Sequence, residues 1–301
     1  MVMRPLLQHG PASRGLTAAV AAGLLAAVAA LWAFRGLPLG TLLLWLTPFP
    51  MFAAGLAFGP ASAVVAAALA ALLVAVAGGG ASALVFLALF GVPVSLLLVT
   101  ASKPDLGRPL ALLGIWPLVV LLAAAALLPG EGGLEAAMRD AVEAALLRMG
   151  LPAPELLVAE VARVKAAAIG FWVALMLLAN AALARRFLTK RGLGQTPAAD
   201  WAMVRLPGWY PLLPAVAAGV FLTAQPEADA VPLSALLLLL VPLFLQGLAG
   251  VHRLARGRKG RVPALSVFYL LLVVFLQIVG PALVGFGLYE QFRRRPAPRP
   301  S

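Results

Sequence analysis

The chain alternates long apolar runs with short polar punctuation, and that alternation sets the first expectation. A hydrocarbon core of about 30 Å takes roughly 20 apolar residues of helix. Runs of that order lie near Leu16–Phe34, Leu39–Phe58, Ala61–Ala77, Ser82–Ala101, Leu110–Leu128, Ala166–Ala184, Trp209–Ala224, Val231–Val251 and Pro263–Gly287. The pattern predicts an all-α fold, a polytopic membrane helical bundle of about 8–9 transmembrane helices.

One long stretch breaks the rhythm. Between Leu128 and Ala166, the residues Leu134, Met138, Val142, Leu146 and Met149 recur at helical spacing, and Glu135, Arg139 and Glu143 form an i,i+4 ladder on another face. This predicts an amphipathic helix at the outer interface, read as a packing cap over the bundle in preference to a ligand gate. Past Pro152 and Pro154, the residues Leu157, Val161, Val164 and Ala168 keep the period and run into the next span, so that helix projects beyond the bilayer. The expected organisation is one integral membrane domain over 1–301: a five-helix part (1–128), the outer segment (129–165), C-terminal helices (166–292) and a basic tail (293–301).

Charge orients the spans. Arg4 and Arg14, then Lys103 and Arg108, then Arg185, Arg186, Lys190 and Arg191, then Arg253, Arg256, Arg258, Lys259 and Arg261 mark one side, which the positive-inside rule makes cytoplasmic along with the N-terminus. The other side receives Arg35, the Gly78-Gly79-Gly80 turn, the segment from Glu131 to Lys165 and the loop Glu227–Asp229. Parity holds through eight crossings and fails at the ninth, where one pass would carry Arg293, Arg294, Arg295 and Arg299 outside. Either a break at Gly280-Pro281 makes a re-entrant or half-helix pair, the reading we favour, or the segment is a true ninth crossing with a basic tail outside.

Composition narrows the class. With 63% hydrophobic and 11% charged residues and a mean hydropathy of +1.01, the chain lacks the polar surface to cover a water-soluble globule. The formal charge of +12 sits in short runs between apolar blocks, which reads as topology and excludes a nucleic-acid-binding face. There is no cysteine, and the two histidines, His9 and His252, stand far apart, so neither thiol chemistry nor a metal centre is expected. Arg4 and Arg14 before the run Leu16–Phe34 resemble the opening of a signal peptide, but the run is too long for one, and a retained first helix is expected. The expected location is a bacterial inner (cytoplasmic) membrane.

Candidate chemistry is sparse. No Asp, Glu, Lys or Arg falls inside any span as drawn, which argues against proton relays and ion pathways, and no phosphate loop, HExxH pair or GxSxG elbow occurs. The chain is therefore read as non-enzymatic and free of cofactors. Glu155 and Glu160 are the carboxylates nearest a span and are read as partners of Arg163 and Lys165. The polar groups in or near the spans are Thr41, Thr47, Ser62, Ser95, Asn180, Gln246 and Gln277. Thr47, Asn180 and Gln246 are the candidate solute-facing positions, because an amide in hydrocarbon seeks either a ligand or a neighbouring helix. Six tryptophans, mostly near predicted interfaces, read as belt anchors. The candidate helix breaks are Pro48 and Pro50 in the second span, Pro93 in the fourth, Pro117 in the fifth, Pro242 in the eighth and Pro281 in the ninth. Such breaks free carbonyls that neighbours, water or substrate must satisfy. Gly55-x-x-x-Gly59 before Pro60 suits close helix approach.

Several of these stretches carry a resemblance. Pro48-Phe49-Pro50 through Gly55, Gly59 and the Ala-rich third span, Phe187, Arg205-Leu206-Pro207-Gly208-Trp209, Phe244 to His252 and Gly287 to Arg293 together resemble the YybS-like family of bacterial membrane proteins, over nearly the whole chain. That family implies a multi-pass inner-membrane protein and assigns no activity. The spacing from Pro48 to Gly55 and Gly59 also resembles the opening helices of substrate-binding subunits of energy-coupling-factor transporters, which implies a helical bundle that binds a vitamin or metal and docks on an energising module. No ligand residue is carried over. Two functional readings result: a transporter-like subunit binding a small neutral or amphiphilic solute, or a membrane scaffold or assembly factor whose basic clusters Arg185–Arg191 and Arg253–Arg261 recruit protein partners or anionic lipid.

Overall fold

In lipid, an apolar stretch can satisfy its backbone only within itself, so runs of Ala and Leu without polar breaks become helices. The computed structural model describes residues 11–101, 106–128, 132–193, 204–225 and 229–293, and no strand occurs among them. Arg4, His9, Lys103, Glu131, Trp201, Glu227 and the arginines after Arg293 lie outside the described residues. The helices are α1 (Pro11–Phe34), α2 (Gly40–Leu46), α3 (Pro48–Phe58), α4 (Pro60–Phe86), a π turn (Leu87–Gly91), α5 (Val92–Thr100), α6 (Gly107–Leu127), α7 (Gly133–Arg148), α8 (Glu155–Lys190), α9 (Leu212–Thr223), α10 (Ala230–Ala255), α11 (Arg261–Val274) and α12 (Leu276–Phe292). Among the described residues, six helical stretches are long and apolar enough to cross a membrane, or seven when the bent pair α11–α12 is counted as one.

Packing divides the chain into two compact units: residues 1–101 with 173–198, and residues 102–172 with 199–301. Helix α8 gives its first half to the second unit and its last to the first.

The first unit is built on a seam of small residues. Ala19, Ala26 and Ala30 of α1 and Ala63, Ala66 and Ala70 of α4 are fully or almost fully buried, and a Cβ on Gly23 would lie 2.8 Å from the Ala66 carbonyl oxygen. Small side chains let the two backbones approach, and close packing replaces the hydrophobic drive that lipid does not supply. The 41-residue stretch Pro60–Thr100 is not one rod. Gly79 has φ 84° and ψ 166°, outside the helical region and costly for any residue with a Cβ. Beyond it the chain folds back, so that a Cβ on Gly91 would sit 3.6 Å from that of Ala67. Arg35 donates to the Ala77 carbonyl at 3.2 Å beside this turn, joining two features that the charge pattern put on one side. Pro48 opens α3, yet Thr47 keeps helical angles, so the second span bends little. Pro93 lies in the first turn of α5, and the π turn directly before it absorbs the misfit.

The second unit surrounds α10, which has 56% of its apolar window buried against 28% for α6. Pro242 was expected to break α10, but the helix runs through it. The proline ring crowds the preceding turn, and there the Tyr210 hydroxyl donates to the Leu239 carbonyl at 2.9 Å while Gly114 of α6 leaves room at the Leu238 carbonyl. Where the span Trp209–Ala224 was expected, the helix α9 has only 12 residues, about 18 Å of rise. The rest of that passage, residues 204–211, is turn and extended chain running against α10, with Leu206 beside Gln246 and Tyr210 beside Leu239.

The outer segment uses its apolar stripe for packing. Met138 and Val142 of α7 are buried against Val158 and Ala162 of α8, with Leu134 and Leu146 alongside. Arg163 keeps Glu160, the partner expected from the sequence, with Nη1 3.8 Å from its carboxylate, and adds Asp229 at the start of α10, to which Nε donates at 2.8 Å and Nη2 donates as well.

The last apolar segment is broken, but not at Gly280-Pro281. The helices α11 and α12 meet at Phe275 (φ −117°, ψ 37°) with a bend of 117°, and Pro281 lies inside α12. A proline strains the turn before it, and here the chain leaves the helix six residues upstream and starts afresh. Consequently α12 runs parallel to α10: Leu276 and Leu237 border one groove, Gly287 lies against Gly247, and Glu290 pairs with Arg253.

Candidate functional site

The three candidate polar positions have distinct settings. Thr47, fully buried, donates to the Leu43 carbonyl of its own helix at 2.9 Å. Asn180, in the same unit, donates from Nδ2 to the carbonyls of Trp45 (2.7 Å) and Met176 (2.8 Å). Pro48 and Pro50 lack the N–H groups that would reach the carbonyls of Leu44 and Leu46, and Asn180 bonds the Trp45 carbonyl that lies between these two. Two acceptors on Nδ2 fix the amide orientation, and among the described residues the buried Oδ1 has no hydrogen-bond partner.

Gln246, in the other unit, is the centre of a polar network. Its Oε1 accepts from the Leu206 N–H at 3.0 Å, and its Nε2 donates to the Gly287 carbonyl (3.0 Å) and to Oε1 of Gln291 (3.1 Å). Gln291 Nε2 then donates to the Leu206 carbonyl at 2.8 Å. Leu206 is outside any helix, and two amides satisfy both of its backbone groups. Unwound backbone among apolar helices persists only where such partners exist. The backbones of α10 and α12 almost touch beside this network: a Cβ on Gly247 or Gly287 would lie 2.0 Å from the carbonyl oxygen of Leu283 or Leu243.

Sequence reasoning missed Glu290. The span was drawn to end at Gly287, whereas α12 continues to Phe292 and buries Glu290 to 2% exposure. Its carboxylate pairs with Arg253 and lies 3.5 Å from Arg293 Nη1. The available signal was its isolation: between residues 230 and 301 it is the only acid among nine arginines and lysines. Arg205, Leu206, Gln246, Gly247, Gly287, Glu290 and Gln291 all belong to stretches on which the family resemblance rests, and they meet in one place.

A separate feature is apolar throughout. A groove of about 460 Å³ is lined by Val164, Ala167, Ala168 and Phe171 of α8, four residues of α10 from Leu237 to Phe244, and Leu276, Gly280, Pro281 and Val284 of α12. Phe171 and Phe244 meet edge to face, 5.5 Å between centroids, at one end. Gly280 and Pro281, expected to form a break, instead line this groove, and none of Thr47, Asn180 or Gln246 does. Its volume suits a small ligand, for which pockets of about 300–1,000 Å³ are usual, and its walls suit only hydrocarbon.

Long apolar helices, buried on one side and apolar on the other, suggest a membrane-embedded protein of the multi-pass class. Compared with protein-family models, with curated proteins and with solved structures, the chain matches none.

Proposed function

We propose that this chain is a multi-pass inner-membrane protein of the YybS-like kind that binds an amphiphilic small molecule, in the manner of a non-enzymatic, transporter-like binding subunit. The observation that carries the reading is the groove on α8, α10 and α12, large enough for part of an acyl chain and without a polar side chain on its walls. The turn at Gly79, the unwound passage before α9 and the reversal at Phe275 support a topology of eight crossings and a re-entrant pair, with the N-terminus cytoplasmic. The test is binding of a fluorescent long-chain fatty acid to the full chain in mild detergent. Ala168→Trp, which fills the groove, abolishes saturable binding, and Leu270→Trp, on the exposed face of α11, leaves it intact. Equal binding by the two variants overturns the proposal.

A second reading, a membrane scaffold or assembly factor, is favoured by the α7–α8 hairpin. Its tip exposes Leu147, Met149, Leu151 and Leu156, the last at 83%, and an apolar cluster of that kind marks an interaction surface. Met149→Asp with Leu156→Asp then removes a co-purifying protein partner without altering binding in the groove; an unchanged set of co-purifying proteins counts against it.

A further inference from the structure

We infer that the end of the second unit where α10 and α12 terminate is a binding site for the phosphate headgroup of an anionic phospholipid. Two guanidinium groups meet there on one carboxylate, and a third is bonded to the backbone beside them. Arg253 and Arg293 flank Glu290, and Arg205 donates to the Arg293 carbonyl. Three positive charges against one negative leave an excess of two, in a place where Arg253 is 22% and Arg293 50% exposed. The cluster is therefore open to a ligand while screened from bulk water.

A second observation points to a missing acceptor. Arg205 Nε is buried and has no hydrogen-bond partner among the described residues. A buried donor on a charged group that finds no acceptor is costly, and a phosphate oxygen, which pairs well with guanidinium forks, would satisfy it. A third observation selects a lipid over free phosphate. Arg293 forms the rim of a hollow of about 370 Å³ whose other walls are Leu288, Tyr289 and Phe292. These three side chains are exposed, Phe292 to 68%, so hydrocarbon lies directly beside the cation. An anionic head on the arginines with its chain against Tyr289 and Phe292 fits both. This site shares no residue with the groove, and it requires only that these helices lie in a membrane, so either assignment can fail alone.

The experiment is native mass spectrometry of the full chain in mild detergent, titrated with phosphatidylglycerol, phosphatidylcholine or inorganic phosphate. Wild type retains phosphatidylglycerol in preference to phosphatidylcholine, and inorganic phosphate does not displace it at equal concentration. Arg205→Gln with Arg293→Gln weakens retention about thirtyfold, from about 1 kcal/mol per arginine near an anionic surface and a tenfold change per about 1.4 kcal/mol. Arg139→Gln with Arg148→Gln removes the same charge from exposed positions of α7 and leaves retention unchanged. Arg293→Gln alone alters a half-exposed side chain and shifts retention in the same direction, which guards against a double variant that does not fold. Equal retention of the two lipids, full displacement by inorganic phosphate, or retention that ignores Arg205 and Arg293 overturns the inference.

Discussion

Gln246 stands in for a turn of helix that the chain does not make. Leu206 has no helical neighbours, so its N–H and carbonyl would be stranded among apolar side chains, and Gln246 with Gln291 takes both. Gln246→Leu keeps the volume and removes the hydrogen bonds, leaving the buried Leu206 N–H without a partner and taking a donor from the Gly287 carbonyl and from Gln291 Oε1. The expected loss is about 1–3 kcal/mol, read as a lower unfolding midpoint in detergent, whereas Gln277→Leu, on an exposed position of α12, is neutral. A Gln246→Leu protein as stable as wild type refutes this role. The sequence marked Gln246 because an amide in an apolar run must bond something. It could not name the partner, since Leu206 is 40 residues away and outside every predicted span. Glu290 was hidden for a different reason: hydropathy ends a span at the first charge it meets, and it cannot see that Arg253 arrives to neutralise that charge.

At the level of elements, the prolines show why a break is harder to read than a helix. Pro242 sits in an unbroken helix because Tyr210 and Gly114 accommodate the turn before it, while Pro281 sits in a helix that began after the bend. Each outcome depends on neighbours from distant segments. The bend at Phe275 has a topological consequence. Helix α11 has 14 residues, about 21 Å of rise, short of a hydrocarbon core of about 30 Å, and α12 returns alongside α10. The proposed re-entrant pair puts residues at the start of α11 and the end of α12 on the same aqueous side. The chain has no cysteine, so single-cysteine variants carry no background. In sealed, oriented vesicles, Lys259→Cys and Phe292→Cys react with an impermeant maleimide from the same side, and Leu151→Cys reacts from the other. Labelling of Lys259→Cys and Phe292→Cys from opposite sides would mean that α11 and α12 form a true crossing.

For the whole molecule, helical periodicity and apolar length were legible from one sequence because each is a local property repeated over about 20 residues. The division into two units was not, because it depends on α8 serving both, a fact written only in contacts between remote segments. Charge came between these extremes. It placed Arg35 with the Gly79 turn, and Arg163 with Asp229, on one side, and each pair is in contact. The close passage of Gly247 and Gly287 bears finally on the order in which the protein is made. The two glycines are separated by 40 residues, so at about 5–20 residues per second the ribosome finishes one roughly 2–8 s before the other. Through that interval Gly247 offers a notch without a side chain where α12 will pack. When α12 arrives, nothing of the protein has to be displaced for the notch to close. Docking of α12 on α10 thus follows the synthesis of α10 by seconds, and truncation before Gly287 also takes Gln291 from the Leu206 carbonyl and Glu290 from Arg253.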